Sequence, residues 1–138
     1  MKLEEMTWYE VQTYLEGSSG IILPTGSIEQ HGPIGLIGTD SICAREIAWA
    51  AAEHFDAIVA PEVSYAPAPF NMGFPGTVSL SIEVYERLID SILASLAHHG
   101  FDRIYILNGH GANFAILQGF AEKISKQFAS KVGGILNQ

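Results

Sequence analysis

The sequence predicts an α/β fold, three-layered α/β/α around a mostly parallel central sheet. Short apolar runs alternate with longer segments of helical period, the pattern that parallel strands joined by crossover helices impose. No repeat or low-complexity stretch interrupts that alternation. With 138 residues, 48% hydrophobic and 16% charged, the chain suits one compact domain with enough apolar surface for a core, which excludes intrinsic disorder.

Taken in order, Thr7 suits the cap of a short helix from Trp8 to about Leu15. Gly17-Ser18-Ser19-Gly20 then breaks the chain before Ile21-Ile22-Leu23, a buried first strand. Ser41 to Phe55 places Ala44, Ala48, Ala51, Ala52 and Phe55 at helical spacing and predicts the first crossover helix. Cys43, inside that helix, reads as a packed thiol, and as the single cysteine it has no partner for an internal disulfide. Ala57 to Val63 predicts a second strand. Tyr65 to Gly76, with Pro67, Pro69, Gly73 and Pro75, predicts a long loop whose Phe70 and Phe74 suit an ordered pocket wall.

Ile82 to His98 predicts a strongly apolar helix, with Val84, Leu88, Ile92 and Leu96 at steps of four, flanked by Tyr85, Ile89 and Leu93, and Gly100 as its stop. Arg103 to Leu107 predicts a third strand, Asn113 the cap of a helix to about Phe128, and Val132 to Leu136 the start of a fourth strand. A sheet ending there leaves its last strand without following cover. The expectation is therefore one domain over residues 1–138 that lacks a carboxy-terminal part.

Seven Lys and Arg against fifteen Asp and Glu give a net charge of −8, without any basic cluster. That balance argues against nucleic acid and anionic membranes as partners and leaves small molecules or proteins. The start MKLEEMTWYE lacks the basic-then-apolar pattern of a secretory signal, and charge, Gly or Pro breaks every apolar run well before the roughly 18 residues a membrane span needs. A cytoplasmic protein is expected.

In an open parallel sheet, ligands bind beyond the carboxyl ends of the strands, so the turns after the first and third strands should share a crevice. The first holds Glu29 and His31, whose spacing of two puts them on one side of an extended backbone. Asp40 follows at the start of the crossover helix, and the second turn, Asn108-Gly109-His110-Gly111-Ala112-Asn113, adds another imidazole. Taken singly, Asp40 reads as a helix cap, His110 as a turn residue, His31 as a surface ring and Glu29 as a solvated charge. Taken together they are four candidate ligands for Zn²⁺, Mn²⁺ or Fe²⁺, because borderline imidazole and hard carboxylate suit these ions better than Ca²⁺ or Cu⁺. His54, His98 and His99 lie at helix ends, where the dipole accounts for them. No dinucleotide fingerprint, P-loop or nucleophile elbow occurs.

The stretches Leu23-Pro24-Thr25-Gly26-Ser27-Ile28-Glu29-Gln30-His31-Gly32-Pro33 and Gly38-Thr39-Asp40 resemble the signature of the creatininase (creatinine amidohydrolase) family. Phe74-Pro75-Gly76-Thr77-Val78-Ser79-Leu80 resembles its pocket segment, and Asn108 to Asn113 its Asn-Gly-His turn, in matching order. The resemblance is to the amino-terminal portion of the family. It implies a metal-dependent hydrolase of non-peptide amide bonds, cyclic amides or formamides, that uses a metal-activated water, with Zn or Mn (or Fe) as one or two ions per site.

On the same resemblance Glu29, His31, Asp40 and His110 are ligands. Asp40 bridges two ions, Glu29 and His110 complete one site, and His31 helps form the other. Phe74, Pro75, Gly76, Thr77, Gly111 and Asn113 are then substrate-binding, and a homo-oligomer is implied. Three positions depart from the pattern: Ala112 stands where creatininase carries a glutamate, Ile34 where many relatives have a histidine, and Phe70-Asn71-Met72-Gly73 lacks an expected histidine. Two other classes remain open. One is a module that binds an anion on the free N–H groups of the Gly109-His110-Gly111 turn. The other is a truncated family member that serves for assembly.

Overall fold

The structure is a computed structural model that describes residues 1–119. Its first helix, α1 (Trp8–Leu15), begins as expected at Thr7. The Thr7 hydroxyl accepts from the Glu10 amide at 3.3 Å, and Glu10 Oε2 accepts from the Thr7 amide at 2.7 Å, so two otherwise orphaned donors are satisfied reciprocally. Strand β1 (Gly20–Thr25), helix α2 (Thr39–Phe55), strand β2 (Ile58–Val59), helix α3 (Ile82–His98) and strand β3 (Arg103–Asn108) follow. A further helix starts at 113 and runs through 119.

The three strands form one parallel sheet in the order β2-β1-β3. β1 pairs with β3 along its whole length, from Gly20 opposite Arg103 to Thr25 opposite Asn108. Alternate residues of β1 therefore enter different cores. Ile21 and Leu23, with Ile58 and Ile104, pack against Tyr85, Ile89, Leu93 and Leu96 of α3, with Val11, Tyr14 and Leu15 of α1 beside them. On the opposite face Ile22, Val59 and Leu107 meet Ala48, Trp49 and Ala52 of α2. The expected three layers result, and the central strand is covered on both sides.

Several local expectations are corrected. The second strand is shorter than Ala57 to Val63 because Pro61 has no N–H to give the ladder: the Ala60 amide still donates to Ile22, and pairing resumes only at Val63, whose amide donates to Pro24. In α3 the buried face is Tyr85, Ile89, Leu93 and Leu96, while Val84 and Leu88 are exposed. Tyr85, Ile89 and Leu93 form the neighbouring row, about 100° further round the helix from Val84 and Leu88, and it is this row that packs into the core with the sheet. Phe55 is exposed in the last turn of α2, and Cys43 is exposed rather than packed.

Asn113 is the first residue of its helix rather than a side-chain cap: its amide nitrogen donates elsewhere and its Oδ1 accepts nothing. The expected continuation of that helix from 120 to Phe128 and the strand from Val132 to Leu136 lie outside the described residues. No described helix is long and apolar enough to cross a membrane.

Candidate metal centre

Two glycines bring the site together. A Cβ on Gly26, just past β1, would lie 2.4 Å from Ser41 Cα, and one on Gly109, just past β3, 2.4 Å from the Asp40 carbonyl oxygen. Only hydrogen fits at either position, so the first turn of α2 seats directly on both strand-end turns. Gly26 and Gly109 are themselves held by main-chain bonds, the Gly26 amide to Val63 O and the Gly109 amide to Thr25 O. Asp40 is thereby carried to the sheet edge.

Its carboxylate does not cap α2, whose N-cap Gly38 makes no side-chain bond. Asp40 instead turns outward from its helix. Oδ1 lies 3.0 Å from His31 Nε2, and Oδ2 lies 2.9 Å from His110 Nδ1 and accepts from the Ser27 hydroxyl at 2.8 Å. Glu29 Oε1 stands 3.3 Å from the same His110 Nδ1, and its Oε2 accepts from Asn71 Nδ2 at 2.7 Å. Ligand atoms of Glu29, His31 and Asp40 all lie within 4.8 Å of one another. The four expected residues therefore meet, from two turns and one helix N-terminus.

Both imidazoles are oriented by backbone carbonyls. His31 Nδ1 lies 3.1 Å from the Glu29 oxygen, and His110 Nε2 lies 3.0 Å from the Pro67 oxygen. A carbonyl only accepts, so each ring donates there, and in the neutral ring the remaining nitrogen turns its lone pair toward the carboxylates. The hydrogen bond to the Glu29 carbonyl, with the negative charge of Asp40 and Glu29, raises the His31 pKa above its ordinary value, against a smaller opposing effect of burial.

Among the described residues, the ionic partners of Glu29 and Asp40 are these two histidines and no lysine or arginine. Two buried carboxylates side by side are costly unless a cation or a proton neutralises them. The donor set, two carboxylates and two imidazoles with fixed tautomers, fits a borderline divalent cation such as Zn²⁺ or Mn²⁺.

The expected substrate-binding residues divide. The segment Phe74 to Thr77 lies beside the ligand turn: Val78 donates to Ile28 O at 2.9 Å, and buried Thr77 accepts the Gln30 amide at 3.2 Å. Gly76, at φ 92°, comes so close to Ile37 that a Cβ would lie 2.6 Å from its Cδ1, which leaves Phe74 and Pro75 at the exposed rim. Gly111 is exposed next to His110. Asn113 is wholly buried, and its Nδ2 donates to Gly26 O and Asn108 Oδ1, so it ties the two strand-end turns together. Its amide and that of Phe114 donate to the oxygens of His110 and Gly111, so neither is free for an anion.

Sequence reasoning missed the supporting residues. Ser27 stands two residues before Glu29, the same spacing that linked Glu29 to His31, and was legible in principle. Asn71 and the Pro67 carbonyl come from a loop about forty residues away in sequence, and no local pattern announces them.

The family model described as creatininase, creatinine amidohydrolase, matches residues 4–136. Over 103 residues the chain is 39% identical to a mycofactocin precursor peptide peptidase of Mycolicibacterium smegmatis, covering 70% of this chain and 41% of that protein. It is 32% identical over 114 residues to a 3-dehydro-scyllo-inosose hydrolase of Thermotoga maritima, covering 82% of this chain and 37% of that protein. A solved structure described as creatininase Mn superposes with a TM-score of 0.87 at 24% identity, over 99% of this chain and 57% of that one. The chain thus spans about two fifths of the length of these curated relatives. By the family match and these relatives together, it belongs to the creatininase (creatinine amidohydrolase) family.

Proposed function

We propose that this chain carries the metal-binding part of a hydrolase that cleaves a non-peptide amide bond, a cyclic amide or a formamide, in a small molecule. The observation that carries the reading is the meeting of Glu29, His31, Asp40 and His110 with both imidazole tautomers held by backbone carbonyls. These four residues would hold one or two divalent ions, Zn or Mn, with Fe also compatible with the donors. Asp40 turns one oxygen to each histidine, which supports a bridging role. When bound, such an ion lowers the pKa of a coordinated water to about 7 and polarises a carbonyl.

The chain's own residues supply the rest. Ser27 steadies Asp40 by donating to Oδ2, and the Phe74 to Thr77 segment with Gly111 borders the ligand turn, where a substrate would be held. Exposed apolar residues on α3 and around the site, Val84, Leu88, Leu36 and Phe74 among them, support self-association into a homo-oligomer. The test is to dialyse the purified chain, measure its Zn, Mn and Fe content, and assay cyclic amides and N-formyl compounds with metal or chelator added. The reading expects bound metal and chelator-sensitive amide cleavage. A chain that binds metal but turns over no amide overturns the activity, and one that binds no metal overturns the whole reading.

A further inference from the structure

We propose that Asn71 is a positioning residue for Glu29: it determines which oxygen of that carboxylate is left for a cation, and Gln30 and Gly32 in turn fix the orientation of Asn71. The inference rests on the metal-binding reading above. Gly32 offers a backbone N–H, which can only donate, and it donates to Gln30 Oε1 at 2.9 Å. That contact settles which end of the Gln30 amide is oxygen, so its Nε2 donates to Asn71 Oδ1 at 2.9 Å. Asn71 must then present Nδ2 to Glu29 Oε2, at 2.7 Å. One obligate donor thus sets the direction of three successive hydrogen bonds.

Turning the Asn71 amide over would place its oxygen on a carboxylate and its nitrogen against the Gln30 nitrogen, and both contacts repel. The backbone is fixed as well. Asn71 closes the short 3-10 turn Pro69–Asn71 with its amide on Ala68 O, the Ala68 amide donates to Ser79 Oγ, and the Gln30 amide donates to Thr77 Oγ1. With Oε2 engaged in this way, Oε1 is the oxygen that faces His110 Nδ1. Glu29 is held ready as a one-oxygen ligand. A hydrogen-bonded partner of a ligating carboxylate typically carries 10–100-fold of metal affinity.

The test uses the full 138-residue chain. Zn²⁺ affinity is measured by competition with a chromophoric chelator, and the visible absorption of the Co²⁺ form is recorded, for wild type, Asn71→Leu, Gln30→Leu and the double variant. Asn71→Leu is expected to weaken Zn²⁺ binding about 10–100-fold and to shift the Co²⁺ absorption, which a loss of fold stability alone does not do. Gln30→Leu should weaken binding less and should have no further effect once Asn71 is Leu, because it acts through Asn71. Asn71→Ala, smaller and unable to clash, carries the same expectation if Asn71→Leu does not fold. Wild-type affinity and an unshifted spectrum in the Asn71 variants, or losses that simply add in the double variant, overturn the proposal while leaving the metal reading intact. A wild type that binds neither Zn²⁺ nor Co²⁺ overturns both.

Discussion

Asp40 Oδ2 and His110 Nδ1 lie 2.9 Å apart although 70 residues separate them in the chain. The contact exists because β1 and β3 are neighbours in register, so that the turns leaving them emerge side by side, and because α2 begins on top of both. Removing His110 leaves Asp40 and Glu29 facing each other with one imidazole in place of two. His110→Ala should therefore cost roughly 100-fold or more in Zn²⁺ affinity, whereas His99→Ala, at the far end of α3, should leave it unchanged. Chelator competition on the two variants decides this, and equal losses would contradict the assignment.

Metal binding requires a neutral imidazole, so it must weaken as His31 takes up a proton. Because the Glu29 carbonyl and the neighbouring carboxylates raise the His31 pKa, apparent Kd measured between pH 8 and pH 4 should show affinity falling as the pH drops, with the fall beginning above the ordinary imidazole range. A flat profile to pH 4 is incompatible with two histidine ligands.

Gly109→Ala forces a Cβ into the Asp40 carbonyl, a backbone atom that cannot swing aside. The expected cost is about 1–3 kcal/mol of stability from overpacking, with weakened metal binding as α2 lifts from the sheet edge. Gly111→Ala, whose Cβ would meet nothing within 4 Å, should be tolerated in the same thermal unfolding comparison. Similar midpoints for the two variants would show that α2 does not rest on Gly109 as described.

Tyr85 is fully buried in the α3 core and its hydroxyl makes no hydrogen bond, although Thr25 lies close enough to offset part of the effect of burial. Burial pushes its pKa up to about 12 from the ordinary 10. The folded protein then holds the phenol proton more tightly than the unfolded chain does. That contribution is fully present below pH 10 and is lost as pH rises toward 12. It amounts to roughly 2–3 kcal/mol at 1.36 kcal/mol per pKa unit. Tyr85→Phe should be neutral or slightly stabilising at pH 7, since an orphaned hydroxyl is removed, and should flatten the loss of stability above pH 10. Denaturant midpoints at pH 7 and pH 10.5 check both statements, and a destabilised variant at pH 7 would refute the first.

Much of this arrangement was legible in the sequence, for identifiable reasons. Thr7 announced α1 because capping is local, and the continuous apolar run Ile21-Ile22-Leu23 announced a buried strand. Glu29, His31, Asp40 and His110 could be grouped because strand-end turns of a parallel sheet share one edge. What escaped depended on contacts that no local pattern encodes. Which stripe of α3 is buried is set by the sheet, the shortening of β2 by one missing N–H at Pro61, and the grip on Glu29 by Asn71 from a distant loop. Asn113 was misread for a related reason: its side chain serves the two strand-end turns instead of the helix it starts.

The central claim is that one cation can lie among these four side chains. Crystals of the chain grown with Mn²⁺ or Zn²⁺, with diffraction recorded on both sides of the metal's absorption edge, test it most directly. An anomalous peak between the carboxylate of Asp40 and the free nitrogens of His31 and His110, with Glu29 Oε1 in reach, is the predicted result. Well-ordered side chains with no peak among them, or a peak only at some other place on the surface, would contradict it.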